Sequence, residues 1–171
     1  MTEPEEFWAR EDQTQLWSRA IALFQEGYEL QRQGLWADAM ARYRESIRLH
    51  PTAEAHTFLG WVYSFMKLYD EAIEECQRAI AVDPSFGNPY NDIGAYLVEM
   101  DRLDEAIPWF ERAILARRYD ARCYPYYNLG RIYEKRGQWP RAIHYYRQAL
   151  RENPTYDLAR NAWMNLQARL N

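Results

Sequence analysis

Small residues recur at fixed spacing along most of this chain, and this internal repeat constrains the fold more than any other feature. Four glycines are separated by 33, 34 and 36 residues: Gly27, Gly60, Gly94 and Gly130. Four alanines follow them, each 12 residues after its glycine: Ala39, Ala72, Ala106 and Ala142. Because the glycine-to-alanine distance is constant, the extra residues of the longer units fall after that pair. Such a period is typical of folds that stack one supersecondary unit.

Each unit of the repeat is predicted to be two antiparallel helices joined by a short turn. Glycine and alanine allow two helix backbones to approach closely, since larger side chains would hold them apart. In the second unit, apolar residues recur at helical spacing from Ala72 to Ile80. Proline is tolerated in the first turn of a helix or just beyond its end. Pro89, Pro125 and Pro140 are expected to open helices, and Pro51, Pro84 and Pro154 to follow helix ends.

The repeated residues resemble the tetratricopeptide repeat signature, in which Leu-Gly and Tyr of a first helix precede Ala, an aromatic residue and Pro. The fourth unit matches best, through Tyr126, Leu129, Gly130, Tyr133, Ala142, Tyr146 and Pro154. The first unit diverges most, with Glu26 before its glycine and Leu30 in place of the tyrosine. The resemblance covers about residues 20–156. It implies an all-α fold, a right-handed α-solenoid of four helix-turn-helix repeats with a C-terminal capping helix.

The spacing and the resemblance together divide the chain into six segments. An acidic N-terminal segment, residues 1–19, leads into a first helix expected to begin near Asp12 or Thr14. The four repeats are residues 20–52, 53–86, 87–122 and 123–156, and the capping helix is residues 157–171. In that last helix, Ala159, Ala162, Leu166 and Leu170 form one stripe with Trp163 alongside. The stripe is expected to cover the exposed apolar side of the fourth repeat.

The third repeat departs from the pattern at its end. Residues 117–122 lack the terminal proline and contain the two extra residues of this unit. The departure is consistent either with a helix lengthened by about half a turn or with a bulged loop. Its arginines are interpreted as charge compensation at a helix C-terminus. A basic knob that docks a partner is the alternative.

The composition argues against several classes of function. A net charge of −4 disfavours a protein that binds nucleic-acid phosphates. The sequence shows neither an apolar run long enough to span a membrane nor a signal peptide, so a cytoplasmic location without membrane insertion is expected. Cys76 and Cys123 lack CxxC spacing and the histidines are scattered. Neither a metal site nor a cofactor is therefore expected.

Motifs of catalytic chemistry are missing from the sequence, including the phosphate-binding loop, HExxH, GxSxG and the EF-hand loop. Neighbouring acids such as Glu74 and Glu75 are interpreted as the solvated face of a helix rather than as an acid–base pair. The chain is therefore predicted to have no catalytic residues and not to be an enzyme.

The resemblance also implies a binding site, because the first helices of tetratricopeptide repeats line a concave groove that binds another polypeptide. Carried over by position, the groove residues are Phe24, Tyr28, Trp61, Phe65, Asn88, Asn91, Tyr124, Tyr127 and Arg131. The aromatic residues would form pockets for ligand side chains, the asparagines would bond the ligand main chain, and Arg131 would pair with a carboxylate. Alternatively, the first four pack between neighbouring first helices. The predicted function is a scaffold for a protein or peptide ligand of unidentified sequence.

The N-terminal segment suggests a second function, self-assembly into a dimer or filament. Phe7 and Trp8 follow an acidic stretch and lie within reach of the stripe that contains Trp17, Ile21 and Phe24. Residues 1–11 would plug the groove of their own chain or insert into that of a neighbour, giving a homo-oligomer. The alternative is a frayed terminus.

Overall fold

A computed structural model describes the backbone of residues 3–170 and the side chains from Asp12 to Leu170. The chain divides into two compact units, the first ending at Asp83 and the second beginning at Pro84. The first unit contains α1 (Glu3–Arg32), α2 (Trp36–Leu49), α3 (Ala53–Phe65) and α4 (Tyr69–Val82). The second contains α5 (Asn88–Glu99), α6 (Leu103–Leu115), α7 (Cys123–Lys135), α8 (Trp139–Glu152) and α9 (Asp157–Leu170). Over the described residues, the predicted all-α helix-turn-helix repeat fold is confirmed.

Helix α1 begins at Glu3, so the expected start near Asp12 or Thr14 is wrong. The segment that looked like a separate acidic tail has a composition suited to a helix start. Acidic residues in a first turn interact favourably with the helix dipole, and proline is tolerated there. Although α1 is 30 residues long, neither it nor any other helix within residues 3–170 is apolar enough over sufficient length to cross a membrane.

The turn inside each repeat has the same geometry. One residue of every turn has a positive φ: Gly34 at 76°, Lys67 at 61°, Asp101 at 59° and Gly137 at 67°. The next residue donates its backbone N–H to a carbonyl five residues earlier, as Leu35 does to Leu30 at 3.0 Å. This bond is that of the Schellman motif, which ends a helix with a left-handed residue. The constant glycine-to-alanine distance of the sequence therefore corresponds to a conserved turn geometry within this chain.

Within three of the repeats, a first-helix glycine faces an aromatic ring of the second helix. The pairs are Gly27 with Tyr43, Gly94 with Phe110, and Gly130 with Tyr146. A Cβ atom on these glycines would lie 2.8, 2.7 and 2.4 Å, respectively, from the nearest ring carbon. All three rings are fully buried. The recurring glycines are therefore needed because a ring of the partner helix occupies the space of their missing side chain.

The second repeat fills the corresponding space differently. Cys76 replaces the aromatic residue opposite Gly60. Beside it, His56 Nδ1 lies 2.7 Å from Glu75 Oε2, and Arg78 pairs with the other oxygen of the same carboxylate. Both His56 and Glu75 are buried. The interpretation of Glu75 as part of a solvated face is therefore wrong, because His56 supplies the partner that lets the carboxylate be buried.

The connection between α6 and α7 is a loop, so of the two forms predicted for residues 117–122 the loop is the correct one. It forms a parallel β-bridge with the segment before α5, where Arg118 N–H donates to Ser85 O at 2.9 Å and Gly87 N–H donates to Arg118 O at 3.0 Å. The buried ring of Tyr119 packs on Gly87. The loop that contains the extra residues of the third repeat is therefore hydrogen-bonded to the segment before α5.

Of the three arginines of this loop, Arg122 stabilises the end of α6 in the way that the sequence interpretation expects. The Arg122 guanidinium donates to the carbonyls of Ile114 at 3.0 Å and Ala116 at 2.9 Å, which are among the carbonyls that a helix end leaves unsatisfied. The Arg118 guanidinium lies 4.1 Å from the centre of the Phe86 ring. Arg117 is exposed.

We expect Arg122→Gln to lower the free energy of unfolding by about 1–2 kcal/mol, because two charge-assisted bonds to helix carbonyls are lost. Arg117→Gln removes the same charge from the same loop and should change stability by less than about 0.5 kcal/mol. Urea unfolding followed by circular dichroism measures both. Equal losses in the two variants would contradict the capping role of Arg122.

Helix α9 packs on α8 through part of the predicted stripe. Ala159 and Leu166 are buried as expected, whereas Leu170 is 45% exposed, so its assignment to the covering stripe is wrong. The stripe ends before Leu170 because that residue is the last of α9 and extends past the packed part of the helix. Leu158 and Met164 are also exposed.

Candidate functional site

In the first unit, four aromatic side chains from the two first helices form one surface. Phe24 and Tyr28 come from α1, and Phe58 and Trp61 come from α3; we call these four the α1/α3 aromatic surface. The Phe58 ring lies at its centre, 5.2 Å from the centre of Phe24, 5.7 Å from Tyr28 and 4.8 Å from Trp61. The structure thus brings together three of the four groove residues predicted in this unit.

The rings of this surface pack on buried residues on one side and are partly exposed to solvent on the other. Tyr43, fully buried, lies 5.6 Å from Phe24 and 6.0 Å from Phe58, and its hydroxyl donates to Gln31 at 2.8 Å. Tyr28 is 41% exposed, while Phe24, Phe58 and Trp61 are partly buried. Phe24 and Tyr28 of α1 contact Phe58 of the neighbouring first helix, so the alternative of packing between first helices applies to part of these two side chains. Contacts between the rings fix the orientation of the parts that remain exposed.

A pocket of about 300 Å³ adjoins this surface at Phe24. Trp17 and Ile21 line it from α1, and Thr52 and Glu54 line it from the start of α3. The pocket is large enough for one apolar side chain of a ligand.

Phe65, the fourth residue predicted for this unit, stacks on Trp36 of α2 with ring centres 4.4 Å apart. It is 61% exposed, at the last residue of α3. Phe65 therefore belongs to an aromatic pair at the end of the helix.

In the second unit, the predicted residues of α7 form a surface with a residue outside the first helices. Tyr124 and Tyr127 contact Tyr156, which lies between α8 and α9, at ring distances of 5.4 and 5.3 Å. The Arg131 guanidinium is 5.9 Å from the Tyr127 ring. We call these four residues the α7 tyrosine surface. Tyr124 is 46% exposed and Arg131 is exposed.

One tyrosine of this surface, Tyr156, and the buried Tyr146 near it both have raised pKa values. Burial, together with the nearby Tyr127, raises the pKa of Tyr156 well above its usual range. Tyr146 lies beneath Tyr127 at 5.8 Å, and its hydroxyl donates to Glu134 at 2.6 Å. Burial raises the pKa of Tyr146 as well, and that hydrogen bond adds to the effect. Tyr156 therefore contributes a ring face and a protonated hydroxyl group to the surface.

Arg131 also borders a pocket of about 590 Å³ between α5, α7 and α9. Two other cations of the pocket are paired, Lys135 with Asp101 at 2.5 Å and Arg169 with Glu134 at 3.7 Å. Arg131 has no carboxylate partner among the described residues. A carboxylate of a ligand is therefore the group that this position favours.

The predicted asparagines, Asn88 and Asn91, lie on α5. Within the described part of the chain, neither side chain forms a hydrogen bond to the α7 tyrosine surface. Both side chains are partly buried. Asn91 donates to Asp92 at 3.3 Å, and its Oδ1 is buried without a partner among the described residues. One amide group is therefore already directed toward a neighbour in its own helix.

Two residues of the candidate surfaces, Phe58 and Tyr156, were not among those predicted. For Phe58, helical spacing within the repeat puts the groove position at the neighbouring Thr57 instead, but Thr57 is buried and donates its hydroxyl to Ala53 O at 2.7 Å. Phe58, one position later, takes the central place of the surface. Tyr156 lies in a connection, where helical spacing gives no information. The high aromatic content of 16% was the only signal for it.

The self-assembly hypothesis depends on Phe7 and Trp8, whose side chains lie outside those that the structure describes. It therefore stays a prediction.

Two family models match the chain, and both describe the tetratricopeptide repeat. One covers residues 86–151 and the other residues 53–86. Among curated proteins, the chain is 33% identical over 96 residues to the cell division cycle protein 27 homolog of Caenorhabditis elegans, covering 56% of this chain and 12% of that protein. The chain spans 12–21% of the length of the first three curated relatives that it matches.

Solved structures with the same fold are similar over most of the chain. PilF of Pseudomonas aeruginosa superposes with a TM-score of 0.82 at 24% identity, covering 89% of this chain and 69% of that one. YrrB, described as a TPR protein with an unusual peptide-binding site, superposes with a TM-score of 0.66 at 20% identity, covering 88% and 77%. At these identities, the likeness establishes the fold.

Proposed function

Because this chain belongs to the tetratricopeptide repeat family, whose members are generally non-enzymatic protein-interaction modules, we propose that it binds a partner polypeptide through its first-helix surfaces. The site in the first unit is the α1/α3 aromatic surface, and that in the second is the α7 tyrosine surface. The proposal includes a cytoplasmic location and no catalytic role.

The observation that carries the proposal is the cluster of rings centred on Phe58. Exposed aromatic side chains in soluble proteins are usually isolated, whereas here Tyr28 and Trp61 both contact the same central ring. Their ring contacts reduce the side-chain entropy that binding would otherwise remove. Large, rigid aromatic groups of this kind dominate the energetics of many protein interfaces.

A ligand of the α1/α3 aromatic surface is expected to have apolar side chains, and a ligand of the α7 tyrosine surface is expected to carry an acidic group. Apolar side chains match the rings and the pocket beside Phe24. The acidic group matches Arg131, whose guanidinium lies beside Tyr127. An extended segment presents alternate side chains to one face, which suits binding by side-chain pockets. The peptide-binding site described for YrrB supports a peptide as the kind of ligand.

The proposal is tested with peptides selected from a random display library on the full-length wild-type chain. We expect Tyr28→Ala/Trp61→Ala to weaken binding of selected peptides at least about tenfold, because two contact rings are removed while the core ring of Tyr43 remains. Fluorescence anisotropy with labelled peptides measures the affinity.

The matched control is Leu115→Ala/Trp139→Ala, which removes two exposed apolar side chains from second helices. Its affinity should stay within about twofold of wild type, since neither residue belongs to a first-helix surface. Peptides that bind both double variants equally well would overturn the proposed site. Light scattering on the full chain and on a chain lacking residues 1–11 separately tests self-assembly, and equal monomer masses would exclude it.

A further inference from the structure

Helix α8 presents four basic side chains on one exposed face. Arg141, His144, Arg147 and Arg151 recur at intervals of three or four residues, which places them on the same side of a helix. All four are exposed. We call them the α8 basic face. It belongs to a second helix and is thus separate from the first-helix surfaces of the proposed function.

The charges of this face are not neutralised within the described chain. On α2, Arg42 pairs with Glu45 at 3.1 Å, and on α4, Arg78 pairs with Glu74 at 3.5 Å. On α8, by contrast, no carboxylate of the described residues lies within 4.0 Å of Arg141, Arg147 or Arg151. Arg141 and Arg151 instead donate to the neutral amides of Gln138 and Gln148. A local excess of positive charge therefore exists on a chain whose net charge is negative.

A shallow depression of about 490 Å³ adjoins the first two residues of the face. Tyr133 and Tyr145 line it with parallel rings 5.3 Å apart, and Pro140 closes one side. The Arg141 guanidinium lies 5.4 Å from the Tyr133 ring, which holds the cation at the edge of the depression. An apolar side chain next to an acidic one would therefore find both partners there.

From these features we propose that the α8 basic face docks an extended acidic segment of a partner protein. The distance along the helix from Arg141 to Arg151 is roughly 15 Å at about 1.5 Å per residue, which about five residues of extended chain would cover. Such a segment carries acidic residues at both ends and an apolar residue near Tyr145. Complementary charge favours association and fixes the register of the segment.

The acids around the face favour a short peptide over a long polyanion. Glu152 follows Arg151 directly, and Glu111 is near Tyr145, where burial raises the pKa of the phenol most and Tyr133 and then Glu111 add to the effect. A nucleic acid or an anionic membrane would bring further negative charge against these carboxylates.

The proposal is tested by titrating the ¹⁵N-labelled full-length protein with the peptide Glu-Glu-Leu-Glu-Glu and following amide shifts by NMR. We expect the shifts to concentrate on α8 and the peptide Gln-Gln-Leu-Gln-Gln to cause none. Arg141→Gln/Arg147→Gln/Arg151→Gln should weaken binding about tenfold, because three charge contacts are lost while helix propensity is kept. Arg19→Gln/Arg32→Gln/Arg48→Gln removes the same charge elsewhere and should bind within about twofold of wild type.

Equal affinity of the two triple variants, or shifts spread away from α8, would overturn the proposal. It would also fail if single-stranded DNA or phosphatidylserine vesicles bound through the same arginines while the acidic peptide did not. Tyr28→Ala/Trp61→Ala should leave the acidic peptide bound as in wild type, so the result for the α8 basic face is independent of the result for the α1/α3 aromatic surface.

Discussion

Replacing Glu75 with leucine is expected to lower the free energy of unfolding by about 3 kcal/mol, although the substitution adds apolar surface to a buried site. Glu75 is 5% exposed and accepts bonds from both His56 and Arg78. In Glu75→Leu, the imidazole of His56 loses its only recorded partner in the described chain while remaining buried. A buried polar group left unpaired costs more than a hydrogen bond contributes.

The double variant His56→Leu/Glu75→Leu should recover most of this loss, since replacing both members of a buried polar pair by apolar residues is often nearly neutral. Arg78 keeps its contact with Glu74 at the surface in both variants. Urea unfolding of the wild type and of the single and double variants measures the coupling. If the double variant were as unstable as Glu75→Leu, the loss would come from Glu75 packing rather than from an unpaired His56.

The contrast between this site and the other repeats shows what the sequence can predict about the fold. Spacing alone locates the four glycines, the turns and the helix pairs, because close packing requires a small residue at the same place in every unit. It does not locate the pair of His56 and Glu75. Two polar residues 19 positions apart show no sign of meeting until the helices are packed. Glu75 consequently looked like half of an exposed acidic pair.

The candidate surfaces were predictable to a similar extent. First-helix positions include Phe24, Tyr28 and Trp61, which the structure places around one ring, but they omit Phe58, to which that ring belongs. Helical spacing places a side chain only to within a fraction of a turn, so adjacent positions such as Thr57 and Phe58 are easily exchanged. Tyr156 comes from a connection, whose path is determined by packing rather than by a periodic pattern.

Alanine at Gly130 is expected to destabilise the protein by about 2 kcal/mol, although alanine favours helix over glycine by about 1 kcal/mol. Its Cβ would lie 2.4 Å from Tyr146, and the overpacking term is roughly 3 kcal/mol, at the upper end of the usual range. The ring cannot turn away freely, because it is fully buried and its hydroxyl is bonded to Glu134.

The matched substitution is Gly60→Ala in the second repeat, where the nearest atoms to the new Cβ are Ala72 O at 3.1 Å and Cys76 Sγ at 3.3 Å. Both contacts are close but need shifts of only a few tenths of an ångström, so the gain in helix propensity should roughly cancel the strain. A double variant, Gly130→Ala/Tyr146→Leu, should lose less stability than the sum of its single variants, since the smaller side chain relieves the clash. Chemical unfolding of Gly60→Ala, Gly130→Ala, Tyr146→Leu and Gly130→Ala/Tyr146→Leu measures this coupling. Equal losses of stability in Gly60→Ala and Gly130→Ala, or strict additivity of Gly130→Ala and Tyr146→Leu, would contradict this explanation. The glycine would then be required by the backbone conformation and not by the facing ring.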